Sequence, residues 1–159
     1  MNIGIMSDSH GNWAAIDNAV SMAQKMDMWL HCGDCLPDAE YLQSLVEVPV
    51  HAVAGNCDWP GKNTVYDKII DVEGHKIFIT HGHNYGVRYT PENVMEAAGT
   101  QGADIAVFGH THMVEYIPGN PLVINPGSVA RPRDENRGSF MIMELFKDIA
   151  PKITIIRMK

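Results

Sequence analysis

The chain alternates short apolar runs with stretches of helical periodicity, then turns mostly to strand. Ile3–Met6 has the near-continuous apolar character of a strand buried on both faces. After the polar segment Ser7–Asn12, residues Trp13, Ile16, Val20 and Ala23 recur at helical spacing. This predicts a helix with Trp13 on its core face and Asn12 as its N-cap. Met28–Leu30 reads as a second strand, Asp38–Val46 as a short helix stopped near Pro49, and Val50–Val53 as a third strand. Lys68–Val72 and Lys76–Thr80 pattern as a hairpin around Glu73-Gly74, and Pro91–Ala98 as a helix with proline in its first turn. Ile105–Phe108, Val114–Ile117, Leu122–Asn125, Ser139–Leu145 and Ile153–Arg157 complete the predicted strands. No internal repeat, low-complexity tract or linker interrupts this pattern, so residues 1–159 read as one α/β domain.

Five of the apolar runs end in polar segments: Ser7-Asp8-Ser9-His10, Cys32-Gly33-Asp34-Cys35, Gly55-Asn56-Cys57-Asp58, Thr80-His81-Gly82-His83 and Gly109-His110-Thr111-His112. Ligand sites of α/β sheets gather at the carboxyl ends of strands, so five such endings predict one site. Asp8, His10, Asp34, Asn56, His81, His110 and His112 offer it carboxylate, amide and imidazole donors. Such a set exceeds the four ligands of one zinc ion. It suits two ions that share a carboxylate, an arrangement that clamps the attacking and leaving oxygens in phosphate-ester hydrolysis. Asp8 and His10 are two residues apart, as are His110 and His112. In extended backbone each pair would point to one side. Gly33, Gly55, Gly82 and Gly109 stand beside these donors, where glycine permits tight turns and close approach.

Charge and composition narrow the partners. Hydrophobic residues make up 45% of the chain and charged ones 19%, which excludes a disordered chain. The net charge of −7 leaves no broad basic face for nucleic acid and no polybasic membrane patch. No apolar run approaches the roughly 20 residues of a membrane helix, and the amino terminus lacks a basic, apolar leader pattern; a cytoplasmic location is expected. Three cysteines, an odd number, argue against a disulfide framework. Two divalent ions, less the charges of Asp8, Asp34 and a bridging hydroxide, leave about +1 in the site. A phosphate ester is therefore the natural small-molecule substrate, and metal-bound hydroxide the natural nucleophile, since coordination lowers the pKa of water toward about 7.

Taken in order, Asp8-Ser9-His10, Gly33-Asp34, Gly55-Asn56, His81-Gly82 and Gly109-His110-Thr111-His112 resemble the calcineurin-like metallophosphoesterases. Asn125-Pro126-Gly127-Ser128 and Pro132-Arg133 resemble the small single-domain branch, which includes compact bacterial and archaeal phosphodiesterases and a retromer scaffold subunit. The resemblance implies two mixed β-sheets packed face to face with helices outside, a four-layer αββα fold. It implies that Asp8, His10, Asp34 and His112 hold one metal ion. Asp34 would bridge to a second ion completed by Asn56, His81 and His110, and Asn56 would also face the substrate phosphate. Mn²⁺ or Ni²⁺ is favoured, with Fe²⁺ and Zn²⁺ admissible.

One departure matters. Much of the superfamily has a histidine directly after the asparagine, where this chain has Cys57. The general acid is thereby unassigned, and His83 becomes the candidate proton donor or phosphate contact, with Cys57 beside the substrate. The expected activity is that of a phosphodiesterase. A phosphomonoesterase on the same core is the first alternative, and Arg131 or Arg133 inside the cleft would favour it. A non-catalytic, protein-binding scaffold is the second, and the intact ligand set opposes it. A homo-oligomer is a base-rate expectation.

Other residues take plainer readings. Cys32 and Cys35 are packing residues flanking Asp34 rather than a redox pair. His31, His51 and His75 fall outside the joint pattern of donors and read as structural. Asp38 and Asp58 either orient imidazoles or serve as turn caps. Arg131 and Arg133 either contact phosphate or form surface ion pairs. Trp59 either borders the cleft or lies outside it.

Overall fold

Both faces of the first strand are buried, and this sets the layering. Strand β1 (Asn2–Met6) sends Ile3 and Ile5 into the core between two sheets, while Met6 packs beneath helices on the other side. Gly4 lies on the helix side under Trp29; a β-carbon there would stand 2.4 Å from the indole, so the position takes only glycine. Two covered faces explain why the strand reads as an uninterrupted apolar run.

The computed structural model describes residues 1–135 and 137–159. One sheet contains β1, β2 (Met28–His31), β3 (Val50–Ala52), β9 (Ser139–Phe146) and β10 (Ile149–Arg157), in the order β10-β9-β1-β2-β3. The other contains β4 (Asp67–Val72), β5 (His75–Thr80), β6 (Ile105–Val107), β7 (Val114–Ile117) and β8 (Leu122–Pro126), in the order β4-β5-β6-β8-β7. Each sheet is mixed. Strands β1, β2 and β3 are parallel, as are β5, β6 and β8, and the outer partners are antiparallel. The inner core joins Ile3, Ile5 and Leu30 to Ile77, Ile79, Ile105 and Ile124. Helices α1 (Trp13–Met22) and α2 (Leu36–Leu45) cover the first sheet through Ile16 and Leu42. Helix α3 (Glu92–Thr100) covers the second through Val94 and Ala98. The two mixed sheets and flanking helices are the architecture that the resemblance to the calcineurin-like metallophosphoesterases implied.

The differences from that reading have local causes. Asn12 caps α1 as expected, accepting from the Ala15 N–H at 3.1 Å. Trp13 is not on the core face. It is half exposed, stacks on Tyr41 with ring centroids 4.4 Å apart, and donates its indole N–H to Asp38. Helix α2 starts at Leu36, two residues before the predicted start, because Asp58 from a distant loop accepts the Cys35 and Leu36 N–H groups. Strand β10 starts at Ile149 rather than Ile153, and its pairing shifts register between Ile149 and Lys152, around Pro151. It is an edge strand, where proline removes no essential ladder bond. A short 3₁₀ turn, His83–Tyr85, follows β5 and carries no signal in the apolar pattern. No helix among the described residues is long and apolar enough to cross a membrane.

Candidate metal centre

The carboxyl ends of β1, β2 and β3 in one sheet, and of β5 and β6 in the other, deliver the seven predicted donors. Asp8 and His10 follow β1, Asp34 follows β2, Asn56 follows β3, His81 follows β5, and His110 and His112 follow β6. Their directions do not come from extended backbone, as the spacing of two suggested. Asp8, His10, Asp34, His110 and His112 have φ of 56°, 47°, 57°, 68° and 61°. Each residue therefore adopts the left-handed conformation, at a cost of about 1–2 kcal/mol. Such strain clusters at functional sites, and among the described residues the other non-glycine positions with positive φ, apart from Cys35 beside Asp34, are Glu73 and Asp148 in hairpin turns. The turns are what bring i and i+2 side chains into one cluster.

Two glycines make room for the carboxylates. A β-carbon on Gly55 would lie 2.1 Å from Asp34 Oδ1, and one on Gly109 would lie 2.0 Å from Ser7 Oγ and 2.8 Å from Asp8 Oδ2. Asp58 then ties the loops together by accepting the Gly55 N–H at 2.8 Å as well as the α2 amides. Asp38 does the same nearby, accepting from Gly11 and Trp13. Both aspartates serve loops and caps, and neither orients an imidazole.

The polar atoms that converge are mostly acceptors. His112 donates Nδ1–H to the Arg131 carbonyl at 2.7 Å, which leaves the Nε2 lone pair aimed at Asp8 Oδ1, 3.2 Å away. His81 donates Nδ1–H to the Cys32 carbonyl at 2.7 Å, and its Nε2 faces Asn56 Oδ1 at 3.1 Å and Asp34 Oδ1 at 3.3 Å. Asp8 Oδ2 accepts from Ser7 and from the His110 N–H, but the buried Oδ1 has no hydrogen-bond partner. Carbonyl anchoring of the far ring nitrogen is the usual support for a metal-ligating histidine. One oxygen or nitrogen from each of Asp8, His10, Asp34 and His112 lies within 4.8 Å of the others. Carboxylate and imidazole groups packed this closely, with Asp8 Oδ1 left unpartnered, fit a cation, and the mixed oxygen and nitrogen set fits a first-row divalent metal.

Electrostatics favour the ligating forms of Asp8, Asp34, His10 and His110. His81 is the exception: burial lowers it, but hydrogen bonding to Asp34 and the charges of Asp8 and Asp34 outweigh burial and raise it, so a metal ion there takes the place of a proton. Burial raises the Asp34 carboxyl, but hydrogen bonding and charge from His81, with the Cys57 N–H, outweigh it and hold it well below the usual range. Asp8 is likewise lowered against the effect of burial, chiefly by His112 and His81. Burial pulls His110 down to about 4, helped by the neighbouring His81 and Arg88. Burial also lowers His10. Both rings are therefore neutral at pH 7, with a lone pair each. Burial and the nearby carboxylates push the Cys57 thiol up to about 11, so it is protonated at neutral pH.

The donors open on a cleft of about 370 Å³ whose walls include Asn56, Cys57, Arg88, Arg131 and Arg133. Arg131 and Arg133 thus face the site and form no ion pair with a carboxylate among the described residues. Sequence reasoning missed Arg88, whose Nε donates to His110 Nε2 at 2.9 Å; nothing in its neighbourhood marked it. His83 is not a wall of this cleft. Its ring lies 5.3 Å from that of His81 and 6.1 Å from that of His110, and its buried Nδ1 has no partner among the described residues. Trp59 is 94% exposed and outside the cleft. His31 bonds Ser9 and His75 bonds Asp104, as structural histidines do, and His51 lies on β3 outside the cleft. Cys32 and Cys35 are free thiols flanking Asp34.

Comparison with known proteins agrees with this geometry. The profile described as Calcineurin-like phosphoesterase superfamily domain matches residues 1–148. The probable metallophosphoesterase YsnB of Bacillus subtilis is 37% identical over 154 residues, covering 94% of this chain and 88% of the relative. Phosphodiesterase YfcE of Escherichia coli K12 is 30% identical over 169 residues, covering 91% and 88%. A predicted phosphoesterase from Streptococcus pneumoniae superposes with a TM-score of 0.82 at 25% identity, covering 98% of this chain and 88% of its own. Vps29 of Entamoeba histolytica superposes over the whole of both chains with a TM-score of 0.76 at 21% identity, a likeness of fold alone. The chain belongs to the calcineurin-like phosphoesterase superfamily.

Proposed function

We propose that this chain is a metal-dependent phosphodiesterase whose cleft takes two divalent ions. The observation that carries the reading is the convergence of acceptor atoms from Asp8, His10, Asp34, Asn56, His81 and His112, with Asp8 Oδ1 buried and unpartnered. Asp8, His10, Asp34 and His112 would hold one ion; Asn56, His81 and His110 would hold the other, with Asp34 shared. Bound there, the ions supply an activated water and neutralise charge on the phosphoryl oxygens. Mn²⁺ or Ni²⁺ suits the donors, and Fe²⁺ or Zn²⁺ is admissible.

The chain's own groups do the rest. The Cys32 and Arg131 carbonyls fix the tautomers of His81 and His112, so that each presents Nε2. The Cys57 N–H steadies Asp34 from the side. With Asn56 Oδ1 turned to His81 and one amide hydrogen on the Cys57 sulfur, the other amide hydrogen is left to donate to a phosphoryl oxygen. The protonated Cys57 thiol would border the substrate. His83, beside His81 and His110 and outside the ligand set, is this reading's candidate for the leaving-group proton; because it does not line the cleft, it would have to reach the leaving group past those two rings. A phosphomonoesterase is the second reading, favoured by Arg131 and Arg133 in the cleft walls.

The test is turnover of an aryl phosphodiester and its monoester by chelator-stripped protein reloaded with Mn²⁺, with Asp34→Asn as control. Metal-dependent diester turnover that is lost in the variant is expected. Turnover of the monoester alone would favour the second reading, and turnover of neither would contradict both. Equal turnover of a poor-leaving-group diester by His83→Ala would remove His83 from the mechanism.

A further inference from the structure

Three of the five arginines of this acidic chain line one cleft, Arg88, Arg131 and Arg133. Like charges gathered without counter-ions repel one another, and the arrangement is sustained where an anion completes it. None of the three pairs with a carboxylate among the described residues, although Arg157 nearby takes both Asp134 and Glu135. Their segment is held firmly. The Arg133 N–H donates to the His112 carbonyl at 2.9 Å, and the Arg131 carbonyl accepts from His112 Nδ1. Asp134, the next residue, grips both Arg157 nitrogens and the Val114 N–H. The backbone of Arg131 and Arg133 is therefore anchored through the same histidine that faces Asp8, and Arg88 is placed by its own Nε–H, which donates to His110 Nε2 and leaves the terminal N–H groups for an anion.

The arginines also mark a boundary. Arg88 and Arg133 are walls shared between the metal cleft and a neighbouring cavity of about 410 Å³, otherwise lined in part by Val87, Tyr89, Pro91 and Met113. Glu115 on its wall is engaged by Thr111 and makes no ion pair with any of the three arginines. On the phosphodiesterase reading, on which this inference rests, two ions and Asn56 already serve the single charge of a diester phosphate. A guanidinium matches a carboxylate or phosphate with two parallel hydrogen bonds, and a set of them beyond the metals is more than one diester needs.

We infer that the substrate carries a second anionic group, a carboxylate or a further phosphate, beside the scissile phosphoryl group. Arg88 and Arg133 bind it at the junction of the two cavities, and the remainder of the molecule continues into the more apolar one.

Calorimetric titration of the Mn²⁺-loaded protein with two inert probes tests this without turnover: propylphosphonate, and 2-carboxyethylphosphonate, which adds only the second anion. The carboxylated probe should bind at least about tenfold more tightly, the factor that about 1.4 kcal/mol represents. The preference should collapse toward unity in the Arg88→Gln/Arg133→Gln chain, survive in part in Arg133→Lys, and persist in the charge control Lys25→Gln. Equal affinities in the wild-type chain, binding of neither probe, or a preference that survives in the double variant would overturn the inference. Aryl diester turnover without a probe preference would overturn it and leave the phosphodiesterase reading standing. A preference without any diester turnover would do the reverse.

Discussion

His112 Nε2 lies 3.1 Å from His10 Nε2, while the other nitrogen of His112 is committed to the Arg131 carbonyl. The shared space between the rings is bounded by Asp8 Oδ1 at 3.2 Å from His112 and Asp34 Oδ2 at 3.6 Å from His10. Burial lowers the pKa of His10, and the two carboxylates that bound this space with the two rings suit a cation.

Loading the site should therefore stabilise the fold. At a free Mn²⁺ concentration of 100 times Kd, linkage gives about 2.7 kcal/mol. Melting followed by circular dichroism should show a higher Tm with Mn²⁺ than with chelator. His112→Ala and Asp34→Asn should lose most of that increment, because each removes a donor from the cluster.

Gly55→Ala should cost metal affinity more than tenfold. The added methyl would fall 2.1 Å from Asp34 Oδ1 and 2.5 Å from the Asp34 backbone nitrogen, so the carboxylate and the turn that carries it must both shift. Gly109→Ala acts in the same way on Ser7 and Asp8. Mn²⁺ titration beside a thermal melt separates lost ligation from general unfolding. An unchanged affinity in both variants would contradict the close-approach argument.

Asp58 joins the Asn56 loop to the start of α2 by three backbone N–H groups, those of Cys35, Leu36 and Gly55. Loss of a helix cap costs about 0.5–2 kcal/mol. Asp58→Ala should lower stability in that range and weaken Mn²⁺ binding too, since Asp34 and Asn56 lie on the segments it joins. Urea unfolding at fixed metal concentration checks the first effect and titration the second.

Asp134 meets Arg157 through both oxygens, at 3.0 and 2.7 Å. Hydrogen bonding to Arg157 lowers its pKa to about 2 against the opposing effect of burial. A depressed carboxyl stabilises the fold above its unfolded pKa of about 3.9, and the contribution is lost as pH falls through about 2. Asp134→Asn should thus cost on the order of 2 kcal/mol at pH 7, with a gap that closes at acid pH. Denaturation at pH 7 and near pH 2 measures the difference.

The convergence of these side chains was legible because they sit where apolar strands stop, among glycines whose packing leaves no choice. Asp8, Asp34, Asn56, His81 and His112 all occupy such ends, and the structure gathers them. The directions of Asp8, His10, His110 and His112 were not legible, because left-handed backbone leaves no mark in the apolar pattern. Long-range bonds hid the rest. Helix α2 starts early for the sake of Asp58, and Trp13 faces outward to meet Tyr41 and Asp38. Arg88 escaped because its significance depends on His110, which is remote in sequence.

The central claim is that these strand ends hold a pair of metal ions. Equilibrium dialysis of chelator-stripped protein against Mn²⁺, with the bound metal counted by elemental analysis, tests it most directly. Two ions per chain in the wild type, and fewer in both Asp34→Asn and His81→Ala, are the expected result. No bound ion in the wild type, or full occupancy in Asp34→Asn, would contradict it.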